Sequence, residues 1–411
     1  MKRTIPFIAS TLILGLLTAC GGDSNNIENP AVNNDPAQNN DTPARNNDDV
    51  AENNDDPAQN NDTPPANNDG PDLVEGCSED DTDACLYTPE ASLESFAEFN
   101  DPERLETDNG EIVSDMTVTY QDVTGTVRKV PLLIFAPEGD GPFPIVTLSH
   151  GGAAGAVSGR TKLTEWGEII AKAGYVSIMI SHVPRSDAAR LALCEAIEVT
   201  AEACQTFKFL NFDRPNDIAA ILDALDELGR VHPGLGPRMD PSRVAVAGHS
   251  AGSGAALTVA GAERLVGDVS FFGEDARPLA FLAFSPQGPD IALDNFGERS
   301  WDGVERPVFF ATGSGDETDG VPDADTRRVP FESAPAGEGK YLLFIDDERA
   351  IHTTYALSNV PDPRVEQWLV SGALAFLDAH LKDSERALEY IRSRSLEVAS
   401  DDRLEWKIKV D

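Results

Sequence analysis

Basic residues are scarce in this chain of 411 residues. It contains 32 Lys and Arg against 71 Asp and Glu, which gives a formal net charge of -39. Nucleic acids and anionic membranes attract proteins mainly through Lys and Arg side chains. The charge therefore excludes both as electrostatic partners, favours solubility and leaves the fold class open.

Metal-binding and coiled-coil patterns are missing as well. No two of the five cysteines have C-x-x-C spacing and none has a histidine nearby, which argues against zinc. The Asn- and Asp-rich tract of residues 23–72 lacks the Asp-x-Asp-x-Asp-Gly spacing of calcium loops. Its Asn-Asn-Asp repeats, mostly seven apart, have no apolar a and d positions and are interrupted by prolines. We expect no metal, no cofactor and a disordered tether here.

An apolar run near the start, Ile5 to Leu17, follows two basic residues and is too short for a retained membrane-spanning helix. It leads into Leu17-Thr18-Ala19-Cys20, which resembles a bacterial lipobox. The resemblance implies a signal peptide at residues 1–19 and a lipidated Cys20, and Gly21 after the cysteine favours the outer membrane. We expect a cell-envelope protein that touches the membrane through its lipid anchor only. The alternative is an ordinary secretory signal with an incidental cysteine.

Export makes the cysteines informative, because disulfides persist outside the cytoplasm. With Cys20 lipidated, the other four form two bridges with three possible connectivities. We favour pairing between sequence neighbours, because each such pair encloses a short, loop-like segment. The favoured bridges are Cys77–Cys85 and Cys194–Cys204.

Strand-like and helix-like stretches alternate from about residue 110 onwards. Amphipathic patterns predict helices over Thr161–Ala173, Pro215–Leu228 and Arg364–Leu381. Such alternation predicts an α/β fold, with a mainly parallel sheet of about eight strands and helices on both faces. The predicted strands are Met116–Tyr120, Val127–Phe135, Pro142–Leu148, Tyr175–Ser181, a strand beginning at Val244, Leu279–Phe284, Val308–Thr312 and Tyr341–Ile345.

The most informative stretch is Gly248-His249-Ser250-Ala251-Gly252, which lies between the strand at Val244 and a small-residue helix. A G-x-S-x-G nucleophile elbow requires this context. Side chains two positions before and after the serine would collide with the neighbouring strand and helix. The pattern predicts Ser250 as a nucleophile. The alternative is a Gly-rich turn with a buried structural serine.

A nucleophilic serine needs a base and an acid, which follow it in the order acid, then histidine, in this type of fold. Of the six histidines, only His352 and His380 follow Ser250. His352 lies in a loop after the last predicted strand and is the candidate base, whereas His380 continues the apolar stripe of the final helix. Asp316 follows a buried strand and is the candidate acid. Its rivals are Asp319 and Asp323, and weaker candidates are Asp290 and Asp294.

Three further stretches accompany the elbow motif Gly248 to Gly252. They are Ser149-His150-Gly151-Gly152, Asp213 to Ile218, and Ser285-Pro286-Gln287-Gly288. Together the four stretches resemble the secreted, dienelactone-hydrolase-related branch of the α/β-hydrolases, which includes bacterial relatives of platelet-activating-factor acetylhydrolase and, more distantly, cutinase-like polyester hydrolases. The resemblance covers about residues 110–382 and implies a serine esterase with a Ser250, Asp316 and His352 triad.

One departure affects the choice of acid. The acetylhydrolase branch places its carboxylate one strand earlier, where this chain has Phe284-Ser285-Pro286 and no carboxylate at the turn. That departure favours Asp316.

The resemblance also implies roles for residues around the elbow. Backbone N–H groups of Ala251 and Gly152 would bind the oxyanion. We expect His150 to brace the oxyanion turn and His249 to pack beneath the elbow. Arg214 and Asp217 resemble a structural pair of the family.

The expected substrate is a neutral, fairly hydrophobic ester, because the acidic surface would repel anionic ones. The segment between Cys194 and Cys204 is expected to form a wall or partial lid of the acyl pocket. Lipase, polyester hydrolase and acetyl-phospholipid esterase remain alternatives, as does a non-catalytic surface-binding lipoprotein on a hydrolase scaffold. The expected organisation is a signal peptide at 1–19, a tether at 20–72, a cysteine-containing extension at 73–109, a catalytic domain at 110–382 and a C-terminal tail at 383–411.

Overall fold

A computed structural model describes residues 3–6, 11–12, 73–100, 116–152, 159–206, 208–267, 269–289, 295–318 and 324–411. Internal contacts divide the chain into a unit of Met1–Leu14 and Gly70–Asp411 and a unit of Gly15–Asp69. The second unit, with the predicted lipidation site Cys20 and most of the predicted tether, lies outside the described residues. In the ranges that are described, no helix is long and apolar enough to cross a membrane.

Strands and helices alternate over most of the described chain. The strands are β1 (Arg3–Pro6), β2 (Thr11–Leu12), β3 (Phe96–Phe99), β4 (Thr117–Gln121), β5 (Val127–Pro137), β6 (Phe143–Ser149), β7 (Val176–Ile180), β8 (Met239–His249), β9 (Glu263–Val266), β10 (Val269–Phe272), β11 (Pro278–Phe284), β12 (Val308–Gly313), β13 (Lys340–Ile345) and β14 (Leu404–Lys409). The helices are α1 (Thr164–Lys172), α2 (Asp187–Ala196), α3 (Ala201–Thr206), α4 (Phe209–Asp223), α5 (Leu225–Val231), α6 (Ala251–Ala260), α7 (Val329–Ser333), α8 (Pro363–Leu381), α9 (Glu385–Arg392) and α10 (Ser395–Ala399). Short 3-10 helices lie at Thr82–Cys85, Gly159–Thr161, Gly236–Arg238, Ala324–Arg328 and His352–Ala356.

The large sheet has eleven strands in the order β14-β13-β12-β11-β8-β6-β7-β5-β4-β2, with β3 paired to β5 beside this path. The central block from β13 to β7 is parallel. The strands outside this block pair antiparallel. A separate three-stranded sheet has the order β1-β10-β9.

The predicted α/β class is confirmed, but the predicted sheet needs correction because it is mixed and larger than eight strands. Residues 122–126 connect β4 to β5, and so short a connection can only join antiparallel strands. The predicted helix Pro215–Leu228 also differs, because Ala224 divides it into α4 and α5.

Buried side chains cover both faces of the central strands. Leu148 of β6 packs with Trp166 of α1 and Trp368 of α8 in one cluster. Ile145 of the same strand packs with Ile218 of α4 in another. Helices therefore cover both faces, as alternate residues of a buried strand require. Because the parallel strands all point the same way, the turns after β6, β8, β11, β12 and β13 meet at one edge.

The two disulfides join sequence neighbours. Cys77 and Cys85 are bonded with an S–S distance of 2.04 Å, and Cys194 and Cys204 with a distance of 2.10 Å. The favoured connectivity is confirmed.

The Cys194–Cys204 disulfide ties α2 to α3, in the connection where the sequence indicated a loop. Leu193 packs there with Phe209 of α4 and Phe271 of β10, in a cluster separate from the two that cover the sheet. The bridged helices and the β9–β10 hairpin thus share a small core of their own.

The middle of the segment 73–100 packs against α8 and is held there by one buried carboxylate, whereas β3 at its end pairs with β5. Asp378 accepts hydrogen bonds from the hydroxyls of Tyr87 (2.9 Å) and Tyr175 (2.5 Å) and pairs with Lys382 at 2.8 Å. Its side chain is completely buried. The extension is therefore packed onto the α/β unit.

Residues 383–411 extend both the helical layer and the sheet. The Tyr390 hydroxyl of α9 donates to the carbonyl of Cys85, and the Val74 N–H donates to Ser395 Oγ at the start of α10. β14 then pairs with β13. The two ends of the described 73–411 region are thus in direct contact.

Candidate active site

Ser250 stands between the last residue of β8 and the first residue of α6. Its φ of 56° and ψ of −124° are unusual for a residue with a side chain. A Cβ on Gly252 would lie 1.9 Å from the carbonyl oxygen of Ser149, and a Cβ on Gly248 would lie 2.1 Å from that of Gly252. Only glycine fits at these two positions, as the elbow pattern predicts. Ser250 is 8 % exposed.

His352 lies beside this elbow. It begins the 3-10 helix that follows β13, and the His249 ring donates a hydrogen bond from Nε2 to the His352 carbonyl at 2.9 Å. The two imidazole rings are 4.7 Å apart. The neighbour of the candidate nucleophile thus holds the loop that carries the candidate base.

Asp316 lies on the far side of the His352 ring. Its Oδ1 is 2.9 Å from His352 Nδ1, and its Oδ2 accepts a hydrogen bond from Thr312 Oγ1 at 2.8 Å. Arg327 donates from Nε to the Asp316 carbonyl at 2.7 Å and lies 3.2 Å from Oδ1. Asp316 and Arg327 are fully buried. Because Nδ1 faces the carboxylate, Nε2 is the ring nitrogen that can act as a base.

The sequence did not predict two further residues of this site, which both lie in the turn after β11. Ser285 Oγ is 2.9 Å from Asp316 Oδ1 and 2.8 Å from His352 Nδ1. Gln287 Nε2 donates to Ser250 Oγ at 3.1 Å. The sequence signal was the Ser285-Pro286-Gln287-Gly288 stretch of the family resemblance, which carried no role for either side chain.

The turn after β6 lies directly against the candidate nucleophile. A Cβ on Gly151 would be 2.9 Å from Ser250 Cβ, and Gly152 has a φ of +77°. Arg214 of α4 donates to the carbonyls of His150 and Gly152 and so fixes this turn from below. The predicted oxyanion donor Gly152 is therefore the residue after the glycine that packs against Ser250, whereas residues 153–158 lie outside the described chain.

Ala251, the other predicted oxyanion donor, is the first residue of α6. Amide groups in the first turn of a helix have no acceptor within the helix and point along its axis. Together with the helix dipole, they favour a negative charge at this end. The geometry is suited to an anion next to Ser250 Oγ.

The flanking histidines are held neutral. His150 donates from Nδ1 to the Gly151 carbonyl at 2.8 Å, and burial with the nearby Arg214 lowers its pKa to about 2. Burial and the adjacent His352 lower the pKa of His249 to about 3. Both therefore serve as neutral hydrogen-bonding groups near pH 7.

His380 is far from this edge in the fold, near the end of α8. Its ring packs 4.7 Å from that of Phe376 and 6.1 Å from that of Tyr341. Burial lowers its pKa to about 4. It is a packing residue, in the place the apolar stripe predicts.

A second Ser-His-Asp arrangement is present that the sequence did not suggest. Ser149 Oγ is 2.8 Å from His182 Nε2, and His182 Nδ1 is 2.9 Å from Asp217 Oδ2. All three residues have 0 % exposure, so no substrate can reach Ser149. This buried relay braces the end of β6, from which the predicted oxyanion turn begins.

The acid of the buried relay is held ionised. Burial alone would raise the pKa of Asp217, but Arg128 and the His182 hydrogen bond hold it well below its usual value. Arg128 donates to it through Nε and Nη2, each at 3.0 Å, and the Tyr120 hydroxyl donates at 2.7 Å. Arg214 and Asp217, expected as a pair, thus bind different partners.

The other candidate acids, Asp290, Asp294, Asp319 and Asp323, lie outside the described residues. Within the described ranges, no group of three or more His, Cys, Asp or Glu is placed to hold a metal ion.

No family model matches this chain, and a search of the curated proteins finds no match. The function proposed below rests on the geometry of the site and on the sequence pattern.

Proposed function

We propose that this protein is a serine hydrolase of carboxylic esters, with Ser250 as nucleophile, His352 as general base and Asp316 as the acid that orients it. One observation carries the proposal. Asp316 Oδ1 lies 2.9 Å from His352 Nδ1, on a loop that His249 holds against the strained turn of Ser250. A general base needs such an orienting acid, and it has to be held beside the nucleophile.

The position of each residue in the fold supports the proposal. Counted from β4, the turn that carries Ser250 follows the fifth strand, as the resemblance to α/β-hydrolases implies. Asp316 follows β12, and His352 follows β13. All three lie at the carboxyl ends of parallel strands, which is where sites form in such sheets. We therefore propose the α/β-hydrolase fold for residues 110–382.

The mechanism is acyl transfer. Ser250 Oγ attacks the ester carbonyl while its proton passes to His352 Nε2, and Asp316 holds the Nδ1–H tautomer and stabilises the imidazolium. The protonated imidazole then gives its proton to the leaving alkoxide, which leaves an acyl-enzyme on Ser250. Water, deprotonated by the same imidazole, releases the acid.

The negative charge of the tetrahedral intermediate would face the N–H of Ala251 and the Gly152 turn. Each preorganised donor of this kind contributes about 2.7–4 kcal/mol to transition-state stabilisation. Arg214 supports this role, because its two hydrogen bonds to the carbonyls of His150 and Gly152 prevent the turn from rotating.

The proposed substrate class is a neutral, fairly hydrophobic ester. The net charge of -39 disfavours anionic substrates. The disulfide-linked helices α2 and α3 are proposed as the wall or lid of the acyl pocket. Lipase, polyester-hydrolase and acetyl-phospholipid-esterase activities belong to the same proposal, and an activity profile across acyl chain lengths separates them.

We propose a lipid-anchored location in the bacterial cell envelope, at the outer membrane. The lipobox-like Leu17-Thr18-Ala19-Cys20 supports it. The two disulfides agree with a compartment outside the cytoplasm.

The direct test is hydrolysis of p-nitrophenyl acetate and butyrate by the parent protein and by Ser250→Ala. We expect the variant to lose about 10⁴-fold or more of kcat. Ser242→Ala is the matched control, because Ser242 lies at the far end of β8 and bonds only Asp240 nearby. Equal rates for parent and Ser250→Ala would overturn the proposal.

Labelling with a fluorophosphonate separates the enzyme from a binding scaffold. We expect one covalent adduct on Ser250 in the parent and in Ser242→Ala, and none in Ser250→Ala. A folded parent that neither reacts nor hydrolyses would favour the non-catalytic lipoprotein.

A further inference from the structure

Ser285 lies between the base and the acid of the proposed triad. Its Oγ is 2.8 Å from His352 Nδ1 and 2.9 Å from Asp316 Oδ1, while those two atoms are themselves 2.9 Å apart. The three polar atoms form a nearly equilateral triangle. Ser285 is completely buried, so its hydroxyl serves only these neighbours and not water.

The backbone holds Ser285 in an unfavourable conformation. Its φ of 49° lies in the left-handed region, which costs a residue with a side chain on the order of 1 kcal/mol or more. Its N–H donates to the Ala311 carbonyl of β12 at 2.7 Å, and Arg327 Nη1 donates to the Pro286 carbonyl at 3.1 Å. The strand on one side and a buried guanidinium on the other thus fix the direction of the side chain.

The protons of this triangle have one consistent arrangement. Asp316 Oδ1 is an acceptor, so the Ser285 hydroxyl donates its single hydrogen to it. The Ser285 oxygen then has lone pairs for the His352 Nδ1–H, which it shares with Asp316. This arrangement requires the tautomer with hydrogen on Nδ1, and that tautomer leaves Nε2 basic toward Ser250.

We propose that Ser285 is a positioning residue of the catalytic site, which locks His352 in its Nδ1–H tautomer and gives the imidazolium a second acceptor beside Asp316. The inference rests on the proposed hydrolase function. Ser285 touches neither substrate nor the reacting atoms and acts through His352 and Asp316.

If Ser285 had only a structural role, different results would be expected. If the hydroxyl only filled the end of β11, its removal would change the stability of the fold and leave the titration of activity unchanged. A positioning role alters kcat and its pH profile, because a protonated imidazole that loses one acceptor is less stable.

The first experiment compares Ser285→Ala with the parent on a p-nitrophenyl ester over pH 5–9. We expect kcat to fall by about tenfold, KM to stay within about twofold, and the acid limb of the kcat/KM profile to move to lower pH by roughly half a unit. Ser314→Ala is the matched control: this serine lies two residues before Asp316, and its buried hydroxyl has no hydrogen-bond partner in the described chain. We expect the control to keep the parent profile.

A rescue variant keeps the proposal falsifiable if Ser285→Ala folds poorly. Asp316→Asn removes the carboxylate and is expected to lower kcat by about 10³–10⁴-fold. A double variant that combines Ser285→Asp with Asp316→Asn places the carboxylate at position 285, where the Ser285 hydroxyl contacts His352 in the parent. We expect this double variant to recover at least tenfold over Asp316→Asn. No recovery in a folded double variant would count against the proposal.

A spectroscopic measurement separates a failure of Ser285 from a failure of the proposed function. The His352 Nδ1 proton is expected to give a low-field resonance in the proton NMR spectrum, absent in His352→Ala and displaced in Ser285→Ala. If the parent has no esterase activity but Ser285→Ala still displaces the resonance, the hydrolase proposal is rejected and the positioning of His352 by Ser285 is retained. An active parent whose resonance, kcat and pH profile are all unchanged by Ser285→Ala would overturn the role of Ser285.

Discussion

Gln287 brings a side-chain amide to the proposed nucleophile Ser250, where the other expected donors are backbone groups. Its Nε2 is 3.1 Å from Ser250 Oγ, and the residue is buried. A backbone donor cannot be removed by simple substitution, whereas this one can. Substitutions of Gln287 can therefore test how a hydrogen-bond donor beside Ser250 Oγ affects the proposed oxyanion site.

We expect Gln287→Glu to lower kcat/KM by tenfold or more, because a carboxylate cannot donate and would repel the developing oxyanion. Gln287→Met keeps the length without the charge and is expected to cost about 2–10-fold, the usual net value of one neutral hydrogen bond. Ester hydrolysis with matched melting curves measures both. Parent-like kinetics in both variants would show that the amide has no part in the reaction.

The residues of the site differ in how far the sequence predicts them. Ser250, Asp316 and His352 were selected because order along the chain and position after strands are local properties. The contacts of Ser285 and Gln287 arise because β11 lies between β8 and β12 in the sheet. That strand order cannot be read from the local sequence around Ser285. The resemblance to the acetylhydrolase branch predicts a carboxylate at the Ser285 turn, whereas the structure has a hydroxyl there, in contact with His352 and Asp316.

At the scale of elements, the extension 73–100 is attached to α8 through Asp378. This carboxylate satisfies two tyrosine hydroxyls and the Glu90 N–H, and it neutralises Lys382. Removing a buried carboxylate leaves its donors unpaired in a site without water.

We expect Asp378→Ala to lower the free energy of unfolding by about 3 kcal/mol, because it breaks a buried, charged hydrogen-bond network. Asp378→Asn retains an acceptor and is expected to lose less. Urea denaturation measures the difference. Limited proteolysis is expected to cut residues 73–100 of the alanine variant first, and uniform cleavage over the whole chain would contradict a local anchoring role.

Elements outside the apolar strand-and-helix alternation were the hardest to predict. The sequence predicts the extension and the tail as separate segments but not their contacts, because the residues they pack against are distant in the chain. The alternation of strands and helices does not predict the β9–β10 hairpin, although Gly267-Asp268 between two apolar stretches is a dipeptide typical of such turns. The sequence predicts a loop where α2 and α3 lie, because the apolar residues of these helices pack in a small separate core.

At the scale of the whole molecule, the buried histidines couple stability to pH. Burial lowers the pKa of His182 to about 4, of His249 to about 3 and of His150 to about 2, against 6.5 for an exposed histidine. At a pH between 6.5 and the lowered pKa of each ring, that histidine is protonated in the unfolded chain but neutral in the folded chain. Stability conferred by the neutral rings is therefore complete above pH 6.5 and is lost as the pH falls toward 4.

We expect the free energy of unfolding to fall by roughly 2 kcal/mol for His182 alone between pH 7.5 and pH 5. His182→Asn keeps a donor for Asp217 without a titrating ring. Its unfolding free energy, measured in urea from pH 5 to 8, is expected to be lower at pH 7.5 but to depend less steeply on pH. Parallel curves for parent and variant would mean that His182 does not contribute to the acid sensitivity.

The buried relay of Ser149, His182 and Asp217 provides an internal control for the proposed triad. It repeats the chemical groups of the proposed triad, and its His–Asp distance of 2.9 Å equals that between His352 and Asp316. What it lacks is an opening to solvent and the distorted turn that carries Ser250. A comparison of the reactivity of Ser250 and Ser149 would therefore measure how much solvent exposure and backbone strain contribute, because both serines belong to a set of the same three residue types.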